Sequence, residues 1–517
     1  MKPIIIGKEK ISIHDVWAVA HAQRKIEFSS ETVKKINAAR KVVDSVVKSG
    51  KSVYGVNTGF GSLQDRAISE KDLGKLQENL IRSHAASVGP LYSNEEVRAS
   101  MFVRLISNSF GYSGVRLEVL ERLMELLNKQ ITPIVPSLGS VGCSGDLSPL
   151  SHCMLVVMGE GEVHFEGKRS STQEVFKSLG MKGIRLAAKE GLALNNGTSF
   201  MTGIAALNLC RAENILKTSD IAGALTLEAV QGFSAAFDER IHALRPHKGQ
   251  KESAENFRKL FEGSKNIDIC LQTGYPGKKR VQDAYALRCT PQVHGAVSDN
   301  ICHCIKVVEK EINSVTDNPL VFPEQDEIIS GGNFHGEPIA FVMDLLAIVL
   351  TDLGNLSERR TFRLLDGNLS NGLPDCLSGG EVGLNSGLMI PQYTSASLCN
   401  ANKNDAHPAS IDTIPTGGNQ EDHVSFGTNS ANKCRPIIFN LENILAIELI
   451  SAAQGVDLRK NVNDLGIGNK ITHGCIRKHV LTLTEDREQH KDIKVLQKLV
   501  EKCYFDKTLR DSGVNLD

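Results

Sequence analysis

The sequence predicts a mainly α protein built around a bundle of long helices, and three observations carry that prediction. Apolar residues recur at helical spacing through most of the chain, several of these stretches are apolar over much of their circumference, and strand-like alternation is scarce. Helices that are apolar on all sides must be buried against other helices. At 517 residues the chain has room for two to four domains of ~150 residues, or for one large helical body.

Taken in order, Lys51–Val56 reads as a short extended piece. Leu117, Leu120, Met124 and Leu127 then mark one face of an amphipathic helix, with Ser113 available as its N-cap and Pro133 beyond its end. Val163 and Phe165 alternate with polar neighbours before Gly167 and predict a hairpin. Long helices are expected over roughly 200–235, 293–313, 335–365 and 436–456. Between them lie stretches rich in Gly, Asn, Ser and Pro at 55–62, 133–149, 191–199, 366–388 and 413–430. Polar loops on a rigid scaffold are where chemistry is usually presented.

Composition excludes several classes of function. There are 59 Lys+Arg against 60 Asp+Glu and no basic half, so no nucleic-acid partner is expected, because binding a polyphosphate needs clustered cations. Met1-Lys2-Pro3 is followed only by Ile4-Ile5-Ile6, too short for a secretory signal. The longest greasy run, from Ile339 to Leu350, contains Asp344 and falls short of the ~20 residues that cross a bilayer, so no membrane partner is expected. Twelve cysteines without a signal read as reduced thiols in a cytoplasmic protein.

Motif searches narrow the chemistry. Gly142-Cys143-Ser144-Gly145-Asp146 looks like a nucleophile elbow, yet Asp146 stands where that motif needs glycine. Cys302-His303-Cys304 has no second Cys/His pair at zinc spacing, so no metal is expected. No phosphate-binding loop, dinucleotide fingerprint or zinc-protease helix is present, and no conventional cofactor is implied.

Residues 139–152 read Gly-Ser-Val-Gly-Cys-Ser-Gly-Asp-Leu-Ser-Pro-Leu-Ser-His. Pro133 and Pro136 stiffen the approach, the glycines permit unusual backbone angles, and Asp146 can cap a helix from near Leu147 to about Met158. Cys143-Ser144-Gly145 is therefore expected in a tight turn at a helix N-terminus.

This loop resembles the central loop of the aromatic amino acid ammonia-lyases almost residue for residue. Tyr54-Gly55-Val56-Asn57-Thr58-Gly59-Phe60-Gly61, Asn196-Gly197-Thr198, the run from Arg280 to Gln292, Gly331-Gly332-Asn333-Phe334-His335 and Asn419-Gln420-Glu421-Asp422-His423 are similar to further signatures of that family, in the same order. The resemblance implies that Cys143, Ser144 and Gly145 cyclise without any other enzyme to 4-methylidene-imidazol-5-one (MIO), an electrophile that no ordinary side chain provides. It implies Tyr54 as the base that takes the β-proton, Asn196 as a donor beside the MIO oxygen, and Glu421 as a further catalytic group. It also implies Arg288 as the partner of the substrate carboxylate, with Gln282 and Tyr285 fixing orientation and Phe334 packing on the ring.

For substrate class, Ser83-His84 resembles the dipeptide of the histidine-acting members, where phenylalanine-acting members have Phe-Leu and tyrosine-acting ones His-Leu. An imidazole ring carries a donor and an acceptor and so needs polar partners, which His84 and Glu421 can offer. The expected reaction is loss of ammonia from L-histidine to give trans-urocanate. A lyase or 2,3-aminomutase for another aromatic amino acid stays open, as does a catalytically silent oligomeric relative. The family fold implies an N-terminal domain, about 1–200, carrying the tyrosine and MIO loops, and an antiparallel helical bundle with C-terminal helices over 201–517. It further implies a homotetramer in which active sites are shared between subunits and a small amino acid is the substrate.

Overall fold

The computed structural model describes residues 2–63, 65–269 and 281–517. The chain divides into two compact units. The first comprises Met1–Cys210, Cys304–Asp344 and Pro408–Asn432, and the second Arg211–His303, Leu345–His407 and Lys433–Asp517.

The mainly α expectation holds. The predicted long helices run over Ser199–Ala229, Thr290–Ile312, Glu337–Leu365 and Gly427–Arg459. The first stops at Ala229 rather than near 235, because Gln231 takes a left-handed φ of 51°. The last begins at Gly427 rather than near 436. Pro436 reads as a helix start in the sequence but lies inside the helix. Two of these helices, Glu337–Leu365 and Gly427–Arg459, are long and apolar enough to cross a membrane by composition alone, yet 61% and 78% of their apolar windows are buried within the chain. Their hydrophobicity therefore goes into the core.

Two local expectations are corrected. The amphipathic helix starts at Leu117 with Arg116 in the N-cap position, and Ser113 does not cap it. Gly114, at φ 68°, turns the chain between them so tightly that a Cβ there would lie 2.4 Å from Val43. Lys51–Val56 forms no strand: Gly55 adopts φ 74° and the amide of Val56 bonds to the carbonyl of Val53, which is a turn. The hairpin is present, with Glu162–Phe165 paired antiparallel to Lys168–Ser171. Positive φ at Glu166 and Gly167 gives the two-residue turn that suits strand twist. Among the described residues no strand exceeds four residues.

In the first unit the Asn94–Ser109 helix is buried over nearly its whole length. Its two buried arginines act as staples. Arg98 donates to the carbonyls of Val19, Ala20 and Leu127, which are last-turn acceptors of two neighbouring helices. Arg104 donates to Asn108 and to the carbonyl of Ala193, and burial lowers its pKa to about 10. It thereby holds the Glu190–Asn195 helix that leads into Asn196.

The second unit carries a fully buried ionic cluster. Arg360 pairs with both oxygens of Glu448, which also accepts hydroxyl hydrogen bonds from Thr226 and Ser357. Burial lowers the pKa of His294, leaving it neutral, and Arg360 lies 3.3 Å from its Nε2. Since guanidinium only donates, Nε2 is the acceptor, and Nδ1–H donates to Asp220 at 2.7 Å.

Candidate active site

The Cys143-Ser144-Gly145 segment forms a two-residue turn closed by a bridge between Gly142 and Gly145, and Gly145 is bridged in turn to Gly197. Gly145 adopts φ 73°, and a Cβ there would lie 2.1 Å from the carbonyl carbon and oxygen of Gly197. No other residue fits. The absence of a side chain also leaves the Gly145 nitrogen uncrowded, as the expected attack on the Cys143 carbonyl carbon would require.

Asp146 occupies the N-cap position of the Leu147–Val157 helix, as expected, but its carboxylate does not cap that helix. It accepts the backbone N–H of Met201 at 2.8 Å and hydroxyls from Ser140 and Thr428. The side chain therefore serves the first turn of the Ser199–Ala229 helix instead. Burial pushes its carboxyl up to about 6, against the pull of these donors.

Ser144 opens onto a cavity of about 780 Å³ whose walls, among the described residues, come from the first unit. Tyr54, His84, Cys143, Ser144, Asn196, Phe334 and Glu421 all line it. The Ser144 hydroxyl donates to Glu421 Oε1 at 3.1 Å, while Oε2 of the same carboxylate accepts from Thr416 at 3.0 Å. Cys143 is buried beside this carboxylate. Burial and then the Glu421 charge push its thiol up to about 12, so it stays protonated and contributes no nucleophile.

The other wall residues are held as follows. Asn196 donates from Nδ2 to the Asn318 carbonyl at 3.0 Å, which fixes its amide orientation, and its buried Oδ1 has no partner among the described residues. Burial raises the Tyr54 phenol above its usual value. The Gly61 N–H, donating to the phenolic oxygen at 3.3 Å, pulls it back, and the charge of Glu421 adds to the rise. His84 ends the Leu73–His84 helix, and burial lowers its pKa, so the ring is neutral. The Ser83 hydroxyl donates to the Leu80 carbonyl and lies 3.0 Å from His84 Nδ1. With the serine proton so used, Nδ1–H donates to Ser83, and Nε2 is left as an acceptor.

A sequence model of the family described as aromatic amino acid lyase matches residues 11–478, a span that contains the tripeptide and every wall of the cavity. The chain belongs to the aromatic amino acid lyase family. The histidine ammonia-lyase of Caldanaerobacter subterraneus subsp. tengcongensis is 46% identical over 517 residues, covering 100% of both chains. Among solved structures, a tyrosine aminomutase from Streptomyces globisporus superposes with a TM-score of 0.95 at 37% identity, covering 100% of both chains. A histidine ammonia-lyase from Trypanosoma cruzi superposes with a TM-score of 0.90 at 38% identity, covering 99% of this chain and 95% of that one.

In this lyase the remaining expected residues do not line the cavity. Gln282, Tyr285 and Arg288 belong to the second unit, and Arg280 of the same motif lies outside the described residues. Gln282 and Tyr285 are exposed, Arg288 stacks over the Tyr285 ring at 4.6 Å, and its buried Nε has no hydrogen-bond partner among the described residues. Among the described residues no lysine or arginine lines the cavity. The described walls therefore supply no positive field for a Tyr54 base.

The sequence reading missed the residues that hold others in place. Thr416 fixes Glu421, the Asn318 carbonyl orients Asn196, and Arg104 anchors the helix before it. Asn318 acts through its carbonyl across 122 residues and Arg104 across 89, whereas Thr416 lies in the same Gly-rich loop as Glu421 and is legible there as a Thr five residues upstream.

Proposed function

We propose that this chain eliminates ammonia from L-histidine to give trans-urocanate. The observation that carries the reading is one cavity wall that holds both the Cys143-Ser144-Gly145 turn and a neutral His84 with a free Nε2 acceptor. Full-length relatives of the histidine ammonia-lyase type support the substrate.

Formed from Cys143, Ser144 and Gly145, MIO supplies the electrophile that turns the α-amino nitrogen into a better leaving group. The tight turn and the side-chain-free Gly145 fit its formation. His84 Nε2 accepts the imidazole N–H of the substrate, and Phe334 offers an apolar face to the ring. Glu421 is held by Thr416 within reach of Ser144 and serves at the reacting end of the cavity. Tyr54 takes the β-proton, with the Gly61 N–H stabilising its phenolate. Arg288 binds the substrate carboxylate through its planar guanidinium, with Gln282 and Tyr285 beside it. Because the described cavity walls carry no lysine or arginine, we assign that binding to a neighbouring subunit of a cytoplasmic homotetramer, which also supplies the positive field that Tyr54 requires.

A second reading has one specific support, the TM-score of 0.95 to a tyrosine aminomutase. The experiment that separates them incubates the purified protein with L-histidine, L-tyrosine and L-phenylalanine. Urocanate absorbance and free ammonia are followed, with chromatography for β-amino acids. Urocanate with equimolar ammonia is expected; a β-amino acid as main product, or preference for tyrosine, would reject the histidine reading.

A further inference from the structure

At the rim of the cavity three side chains from two separated stretches converge. His335 and Glu337 lie at the start of the Glu337–Leu365 helix, and His423 lies on the loop that carries Glu421. The two imidazoles are parallel to within 4°, with centroids 5.5 Å apart. Glu337 Oε2 lies 3.8 Å from His335 Nδ1 and 3.8 Å from His423 Nε2, and all three atoms lie within 4.8 Å of one another. Separations of 3.8 Å are too long for hydrogen bonds. Glu337 Oε2 is nevertheless shielded from solvent and accepts no hydrogen bond among the described residues. A buried carboxylate oxygen without a donor is costly, so its surroundings require an explanation.

The protonation pattern supplies one. The backbone N–H of Glu337 points to His335 Nδ1 at 3.4 Å, so that nitrogen carries a lone pair. His335 Nε2 faces the carbonyl of His423 at 3.4 Å, which calls for N–H there. The outer N–H of His335 is held by a carbonyl, as in metal-bound histidines, and its one lone pair, engaged here by the long contact from the Glu337 amide, must turn from that amide to the ion. Two imidazole nitrogens and one carboxylate oxygen form the donor set of open zinc sites. They carry a single negative charge against a dication. Ligand atoms ~2.0–2.1 Å from a tetrahedral ion lie about 3.3 Å apart, so each 3.8 Å separation must close by about half an ångström. His423, whose ring is exposed on its loop, is the residue that has to make that move.

We propose that His335, Glu337 and His423 bind one divalent transition-metal ion of the zinc class, with water in the open position. The ion ties the Glu421 loop to the start of the Glu337–Leu365 helix. The proposal stands on these three side chains and is independent of which amino acid the cavity accepts.

The test uses tag-free, chelator-stripped full-length protein titrated with zinc chloride by calorimetry and with cobalt chloride by absorption spectroscopy. Cobalt is included because the twelve cysteines offer competing thiolates. One ion per chain is expected, with cobalt bands of nitrogen and oxygen coordination and no sulfur charge transfer. His423→Asn and Glu337→Gln should each weaken binding by at least ~10-fold, since even changes to the groups behind metal ligands cost 10–100-fold. Thermal melting without metal confirms that both variants are folded, and His423→Asn, at an exposed position, decides the matter if Glu337→Gln is not. Parent protein that binds no ion, sulfur bands in the cobalt complex, or unaltered affinity in a folded variant would each overturn the proposal.

Discussion

The carboxylate of Asp146 accepts the backbone N–H of Met201 at 2.8 Å, so the residue that follows Cys143-Ser144-Gly145 locks the first turn of a different helix. The tripeptide turn is thus fixed from both sides: the Asp146 amide bonds to the Gly197 carbonyl, and its side chain holds the Ser199–Ala229 helix that follows Gly197.

Asp146 should make stability fall as pH rises. Its pKa is raised from 3.8 in the unfolded chain to about 6 in the folded one, so between these values the folded state binds more protons. Stability from this group is full below pH ~4 and lost by about 6, an effect of about 3 kcal/mol. Asp146→Asn lacks this dependence. Melting temperatures of parent and variant from pH 4 to 7 should show the parent losing ground as pH rises; a constant difference would refute the assignment.

Ser144→Ala should abolish turnover while the protein stays folded, because alanine lacks the hydroxyl that is lost in forming the methylidene. Activity is compared with size and melting temperature. The loss of the Ser144 to Glu421 hydrogen bond, part-buried, should cost about 1 kcal/mol of stability at most. Normal activity in this variant would rule out MIO.

Tyr54→Phe should lower turnover by at least ~100-fold, the lower end of what a positioned base contributes, with a smaller change in substrate binding. The raised phenol makes the parent rate climb with pH, and that climb should vanish in the variant. A variant within a few-fold of the parent would shift the base role to Glu421.

His84→Leu should erode the preference for histidine. A phenyl ring leaves the His84 Nε2 acceptor unpaired, and sites that hydrogen-bond a substrate reject analogues lacking those groups by up to ~10,000-fold or more. The ratio of kcat/KM for histidine to that for phenylalanine is the readout; an unchanged ratio would remove His84 from recognition.

In the second unit, Glu448→Gln should destabilise by about 3–5 kcal/mol, because it strands the buried Arg360 charge. Replacing both residues, Arg360→Met with Glu448→Leu, should recover much of the loss. Urea midpoints of the two variants check this, and a single variant as stable as the parent would show the pair to be dispensable.

Much of this was legible in sequence because its causes are local. The apolar periodicity of 335–365 marks the Glu337–Leu365 helix, and Cys143-Ser144-Gly145 between glycines marks the turn. Local signals misled where a residue type has two uses. Pro436 marks a helix start or an interior position, and Asp146 can cap the helix it precedes or, as here, one that begins more than fifty residues later. The cluster of His335, Glu337 and His423 has no zinc-like spacing, since His423 joins it across 88 residues, so the expectation of no metal drawn from Cys302-His303-Cys304 could not address it. The placement of Gln282, Tyr285 and Arg288 outside the cavity was equally illegible, because sequence order does not say which unit a helix joins.

The central claim is that the chain makes an electrophile from Cys143, Ser144 and Gly145. Intact-mass spectrometry tests it most directly. The account predicts a parent protein lighter than its sequence by two waters, with Ser144→Ala unable to lose the water that comes from the serine hydroxyl; a parent at its unmodified mass would contradict it.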